Sequence, residues 1–361
     1  MTRTGKTSIR NTRADIGSLA PTLGAVRTNC HISDAQFAAD YTLCIYLLKM
    51  REYFRWEHEL PFDAALPHDE LTDWLTQREA HWEQLEQQDF SVIPVGSEHY
   101  DPFDAAAINA ALNPLGYVYS SGYGRGMKPV FFMGALEQRD DCEGYSLLVS
   151  GRELARDLSA PPAMSRDGTI FIRRESLRRM LWERLEEWRW NRPDNALKCA
   201  IEYYDFDNAP DAALEAMTDN ELRTVALHEI GEVQAGRILG PQWEELLASL
   251  GHSKAEIMLR AVRDHLADTL STLPGLLADD NPAALHFYFG SLSNMRKELF
   301  PRLLYAYEIW KISANKHELM QLADTSATHW QMLAERLLEL FRTEGPDCAP
   351  QLVAMIETHT L

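Results

Sequence analysis

The chain has 361 residues, of which 45% are hydrophobic and 25% charged, and its formal net charge is −19. That length exceeds one ordinary hydrophobic core and points to two domains, while the apolar and aromatic content excludes wholesale disorder. The negative charge disfavours non-specific binding to nucleic acid or to an anionic membrane.

Five cysteines, Cys30, Cys44, Cys142, Cys199 and Cys348, are scattered and form no CxxC pair. An odd, dispersed set fits free thiols in a reducing compartment better than a disulfide framework. Residues 1–20 lack the apolar segment of a signal peptide, and no apolar run reaches a membrane-spanning length of about 18 residues. A cytoplasmic protein is expected, with neither nucleic acid nor membrane as partner. The first residues carry Arg3, Lys6, Arg10 and Arg13, a possible local basic patch.

Residues 1–28 are polar and read as a leader. Ser33 or Asp34 then reads as the N-cap of a helix over about 35–59, ended by Pro61. Cys30 and His31 stand just before that cap, where a helix dipole lowers a thiol pKa, though a buried cysteine beside a capping histidine is the simpler account. A second amphipathic helix is expected over about 69–88 and a short one over about 102–112. From Gly116 the pattern changes to strands, at Tyr117–Tyr119, Val130–Met133, Tyr145–Val149 and Thr169–Ile172. They predict a small, mostly antiparallel sheet. The glycine-rich turn Gly122-Tyr123-Gly124-Arg125-Gly126 leads into a strand and lacks the lysine-serine pair of a phosphate loop, so no nucleotide cofactor is expected. Ser176–Trp190 forms an amphipathic helix, and the loop Asp205–Pro210 is the expected domain boundary.

Everything after it reads as helix, over about 211–217, 219–239, 241–250, 253–273, 282–297, 299–313, 315–322, 325–343 and 348–358, with glycine and proline as punctuation. The fold class is therefore mainly α: an α+β N-terminal domain (29–208) with a small antiparallel sheet, then an all-α bundle (209–361).

The strongest chemical signal is His228-Glu229-Ile230-Gly231-Glu232, expected in the middle of a helix capped at Thr218. At about 100° per residue, Leu222, Val225, Ala226, Ile230 and Val233 share an apolar arc. Glu229 projects into the middle of that arc, which is costly for a carboxylate unless it is paired, protonated or metal-bound. Glu232 stands where the His-Glu-x-x-His signature of zinc peptidases has its second histidine, so that signature is not met. Downstream, Arg263-Asp264-His265-Leu266-Ala267-Asp268 places His265 and Asp268 one turn apart, and His286 follows on the next helix. Facing helices that project such residues inward can build a metal site. His228, Glu232, His265, Asp268 and His286 are the candidate ligands and Glu229 a ligand or general base. The donor set suits a divalent ion, iron, zinc or manganese. It would activate water for hydrolysis, or dioxygen if the metal is iron. Two alternatives remain open: a metal-free catalytic site, and a non-catalytic binding or scaffold protein whose His, Glu and Arg groups form a structural polar network. Substrate and protein partner are not specified by these residues.

The stretches NCHISDAQFAADYTLCIYLLKMREYFRW (29–56) and ALHEIGE (226–232) resemble an uncharacterised family of bacterial cytoplasmic proteins, built from N-terminal and C-terminal regions of unknown function. The resemblance implies no activity and no catalytic residues.

Overall fold

The computed structural model describes residues 6–8, 16–124 and 127–361. Most of the expected basic patch (Arg3, Arg10, Arg13) and Arg125 and Gly126 of the glycine-rich turn lie outside the described residues. The chain divides into two compact units, Met1–Trp182 and Glu183–Leu361. The division falls inside the helix Arg174–Asn191, so the segment 183–208, assigned to the first domain on sequence, belongs to the second unit.

The first unit holds, in order, β1 (Lys6–Ser8), α1 (Ala20–Phe37), α2 (Leu43–Glu57), α3 (His68–Glu83), β2 (Ile93–Val95), β3 (Glu98–Tyr100) and α4 (Ala105–Leu112). The strands β4 (Tyr117–Tyr123), β5 (Pro129–Cys142), β6 (Tyr145–Arg156), β7 (Ala163–Arg166) and β8 (Thr169–Arg173) follow. β2 and β3 form their own hairpin, and the other six strands make one sheet ordered β1-β5-β6-β8-β7, with β4 also paired to β5. All its pairs are antiparallel except β6 with β8. Asp167 (φ 49°) and Gly168 (φ 75°) make the tight β7–β8 turn, whose twist requires left-handed backbone at both positions.

The first half of β5 is buried on both faces. Phe131 and Met133 pack with Val26 and Cys30 of α1, and Phe132 and Leu136 pack on the other side with Val118, Leu148 and Phe171. This explains why α1 begins at Ala20, inside the expected leader, and runs through the expected cap. Asn29 exchanges two hydrogen bonds with the Ser91 backbone (2.8 and 2.7 Å). Asp34 bonds Lys128 Nζ (2.7 Å) and the Leu158 amide. Side chains that look like caps are here committed to tertiary partners, and the chain breaks later, between Phe37 and Leu43.

The second unit is helical. From the shared helix α5 (Arg174–Asn191) the chain runs through α6 (Ala196–Ile201), α7 (Pro210–Leu239), α8 (Pro241–Ser249) and α9 (Lys254–Ala267). A single π-helical turn, Asp268–Thr272, leads into α10 (Leu273–Ala278). Then come α11 (Pro282–Ser291), α12 (Asn294–Leu299), α13 (Pro301–Ser313), α14 (His317–Glu344) and α15 (Ala349–Glu357). The core gathers Trp243, Leu246, Met258, Leu259, Val262, Leu266, Leu273, Trp330, Leu333 and Leu337. Three expected breaks do not occur, one of them at Pro274-Gly275, which lies inside α10. At Thr218 and at Thr325 the hydroxyl donates back to the carbonyl four residues earlier (Leu214, 2.7 Å; Gln321, 2.9 Å), which keeps α7 and α14 continuous. None of the described helices is long and apolar enough to cross a membrane.

Candidate metal centre

The buried line along α7 is not the apolar arc. It runs through Leu214, Met217, Thr218, Glu221, Thr224, Gly231, Ala235 and Leu239, while Leu222, Val225, Ala226, Ile230 and Val233 are half-buried. The arc therefore does not mark the core face, and Glu229, half-buried, is not the carboxylate at its centre. His228 borders the observed line and Glu232 lies one turn further on.

Gly231 sets how close α7 comes to its neighbour. A Cβ there would stand 2.2 Å from the Ala267 carbonyl oxygen, so only glycine lets the two backbones meet. The contact brings α7 against the end of α9 and the π turn. One ligand atom each of His228, Glu232 and Asp264 then lies within 4.8 Å of the other two. Two i, i+4 pairs face each other across this contact, His228/Glu232 on α7 and Asp264/Asp268 on α9 and the π turn.

Asp268 plays a different part from the one expected. Its side chain is buried, and both oxygens are used. Oδ1 receives His228 Nδ1 (2.9 Å) and the Thr272 hydroxyl (2.9 Å); Oδ2 receives the Tyr288 hydroxyl (2.7 Å) and the Arg296 guanidinium. It orients His228 and leaves Nε2 as the ring nitrogen with a lone pair to offer. A carboxylate behind a histidine in this way fixes its tautomer and raises its basicity as a ligand. π turns are rare and recur at functional sites. Here the turn carries Asp268 at its first position and Thr272 at its last.

The charges are partly balanced by arginines. Arg263 pairs with Glu232 (2.6 Å) and with Glu244 (2.7 Å). Burial pushes the Asp264 carboxyl above the usual range, opposed by Arg296 and His228. Burial likewise pulls the Arg296 guanidinium down, against the hold of Asp264 and Glu232. The His228 side chain keeps 32% of its surface exposed, so the group opens to solvent on that side.

The other expected ligands are placed elsewhere. His265 follows Asp264 in sequence but turns into the core, where Nε2 meets the Arg296 carbonyl (2.9 Å) and the ring stacks on Trp330 at 4.7 Å. Burial holds its pKa at about 3, so it is neutral. His286 bonds the Tyr307 hydroxyl (2.8 Å). Neither belongs to the three-residue group. Asp264, absent from the sequence-derived set, has a signal in hindsight: its four-residue spacing to Asp268 matches that of His228 to Glu232. In the first unit Cys30 is fully buried in mid-helix with its thiol on the Phe131 carbonyl (3.4 Å). Burial, with Asp157 and Asp34 nearby, pushes that thiol well up, the opposite of activation. His31 packs beside Trp82 and Arg78, its pKa held down at about 3 by burial and Arg78.

No curated protein and no solved structure matches the chain. Family profiles do match: residues 22–173 correspond to the N-terminal domain, and residues 178–359 to the C-terminal domain, of the family of unknown function DUF6866. The candidate centre lies wholly within the second of these, and the chain belongs to that family.

Proposed function

We propose that the C-terminal half is a metal-dependent hydrolase, with His228, Glu232 and Asp264 as ligands of a divalent ion and Asp268 as the group that orients His228. The observation that carries this reading is the convergence of one ligand atom each from His228, Glu232 and Asp264 within 4.8 Å, beside a buried carboxylate, Asp268, that bonds His228 Nδ1. One imidazole and two carboxylates suit zinc or manganese. Dioxygen-activating iron sites favour the reverse ratio, two histidines to one carboxylate, so water is the better substrate for this donor set. A bound divalent ion would supply acidified water at neutral pH. Ligands must be deprotonated to bind a metal, so affinity rises with pH over the range in which Asp264, its pKa raised by burial, loses its proton.

Purified protein reconstituted with zinc, manganese or iron(II) is expected to hold close to one ion per chain by elemental analysis. His228→Ala with Glu232→Ala should hold none. Asp268→Asn keeps the side-chain volume but weakens the hold on His228, and is expected to lower metal affinity by about 10–100-fold. A wild-type protein that retains no metal after reconstitution refutes the proposal. That outcome favours a second reading, a structural polar network in a binding protein, which draws on the pairing of Glu232 with Arg263 and of Asp268 with Arg296.

A further inference from the structure

Four large apolar side chains stand in solvent at the start of α2: Leu43 (70% exposed), Ile45 (45%), Leu47 (45%) and Leu48 (51%). No other stretch of the described residues exposes as many so close together. The helix is anchored through its second half, where Met50 and Tyr53 pack with Trp82 and Leu158. A concentrated apolar patch of this kind marks an interaction surface. The charges around it are ordered. Asp40, Cys44, Leu47 and Arg51 follow one another at spacings of four, three and four, the spacing of a helix seam, and all four are exposed. Asp40 ends the short 3₁₀ turn just before α2. Arg51 donates Nε to the adjacent Glu52 (3.1 Å) and keeps 45% of its side chain exposed. The seam therefore reads acid, apolar, apolar, base.

We propose that this face is where two copies of the chain meet, α2 lying antiparallel to α2 across a two-fold axis between Ile45 and Tyr46. A two-fold contact is self-complementary: if residue i of one copy meets residue j of the other, j meets i in return. Pairing centred there sets Asp40 level with the partner's Arg51, Leu43 with the partner's Leu48, and Cys44 with the partner's Leu47. Each end of the contact then carries an acid–base pair, and its centre is apolar. Parallel pairing would instead set Asp40 on Asp40 and Arg51 on Arg51, so the order of charges selects the antiparallel arrangement. It also selects a second copy as the occupant, because the seam is complementary to its own reverse. The chain's charge of −19 opposes contact between copies elsewhere, whereas this seam is neutral, one acid against one base. A contact built on one helix pair is small, and a dissociation constant of about 10–100 μM is expected for it.

Sedimentation velocity of the full chain under reducing conditions, from about 1 to 200 μM, reads the assembly directly. The wild type is expected to pass from monomer to dimer across that range. Leu47→Asp should stay monomeric throughout, because it would bury an unpaired carboxylate in the contact. Asp40→Arg and Arg51→Asp should each weaken the dimer by about tenfold, and the two together should restore it. These side chains are exposed, so the substitutions leave the fold intact. Cys44 supplies a second readout. In this register the two Cys44 Cα atoms lie about 10 Å apart, so a short bismaleimide should link the copies through Cys44 in the wild type and not in Leu47→Asp. A wild type that is monomeric at about 200 μM overturns the proposal and leaves the face to a different protein. A dimer that Leu47→Asp leaves intact overturns it, since that dimer forms elsewhere. A double exchange of Asp40 and Arg51 that fails to recover the dimer overturns the antiparallel pairing.

Discussion

Gly231→Ala is expected to lower the stability of the protein by about 3 kcal/mol and to abolish the metal binding proposed for the His228 group. The added methyl would meet Ala267 carbonyl oxygen at 2.2 Å and carbonyl carbon at 2.7 Å. Both are backbone atoms, so no rotamer change relieves the clash, and overpacking of this kind costs about 1–3 kcal/mol or more. Glycine-to-alanine in a helix interior otherwise gains about 1 kcal/mol. The clash outweighs that gain, and its relief must separate α7 from the π turn, lengthening the 2.9 Å His228–Asp268 bond and dispersing the three ligands. Gly236, five residues on along the same helix, provides the control. A Cβ there meets nothing within 4 Å, so Gly236→Ala should stabilise by about 0.5–1 kcal/mol. Urea unfolding of the two variants beside the wild type gives opposite signs. A Gly231→Ala protein as stable as Gly236→Ala would mean that the close approach of α7 to Ala267 does not exist.

The fold class, the sheet and most helices were legible because burial imposes periodicity. In α9 the apolar residues at helical spacing, Met258, Leu259, Val262 and Leu266, are all buried. The errors share a cause. Ser33, Asp34 and Thr218 have the chemistry of helix caps, yet each is buried and bonded to something other than an orphan amide of a helix start. Cap propensity is local, and tertiary partners override it. The apolar arc of α7 misled for a related reason. A helix that must approach another backbone closely buries small and polar residues, here Thr218, Thr224, Gly231 and Ala235, and leaves its larger aliphatic ones half-exposed. Of the candidate group, the α7 half, His228 and Glu232, was legible. Asp264 was not singled out, because choosing it over its neighbour His265 requires the rotation of α9, which only the packing fixes.

The buried carboxylate sought at Glu229 exists two turns earlier, at Glu221, and it should govern the pH dependence of stability. Glu221 is fully buried, and neither carboxyl oxygen has a hydrogen-bond partner among the described residues. Burial raises its pKa from 4.5 to about 8. Because the folded-state pKa lies above the unfolded one, the folded protein binds the proton more tightly. The stability that this contributes is complete below about pH 4.5 and is lost as pH rises through about 8. At pH 7 the unfolded chain is ionised and the folded one is not, a difference of about 3 kcal/mol from roughly 1.4 kcal/mol per pH unit. Glu221→Gln isolates this effect. Glutamine has nearly the shape of the protonated acid and a similar cost of burial, so the two proteins should be equally stable near pH 4.5. By pH 7 the variant should exceed the wild type by about 3 kcal/mol, with a plateau above pH 8. Urea unfolding of both proteins across pH 4.5–8.5 measures the gap. A gap that does not change with pH would place Glu221 in contact with a compensating charge or with solvent, and would remove it as the residue that sets the protein's alkaline limit.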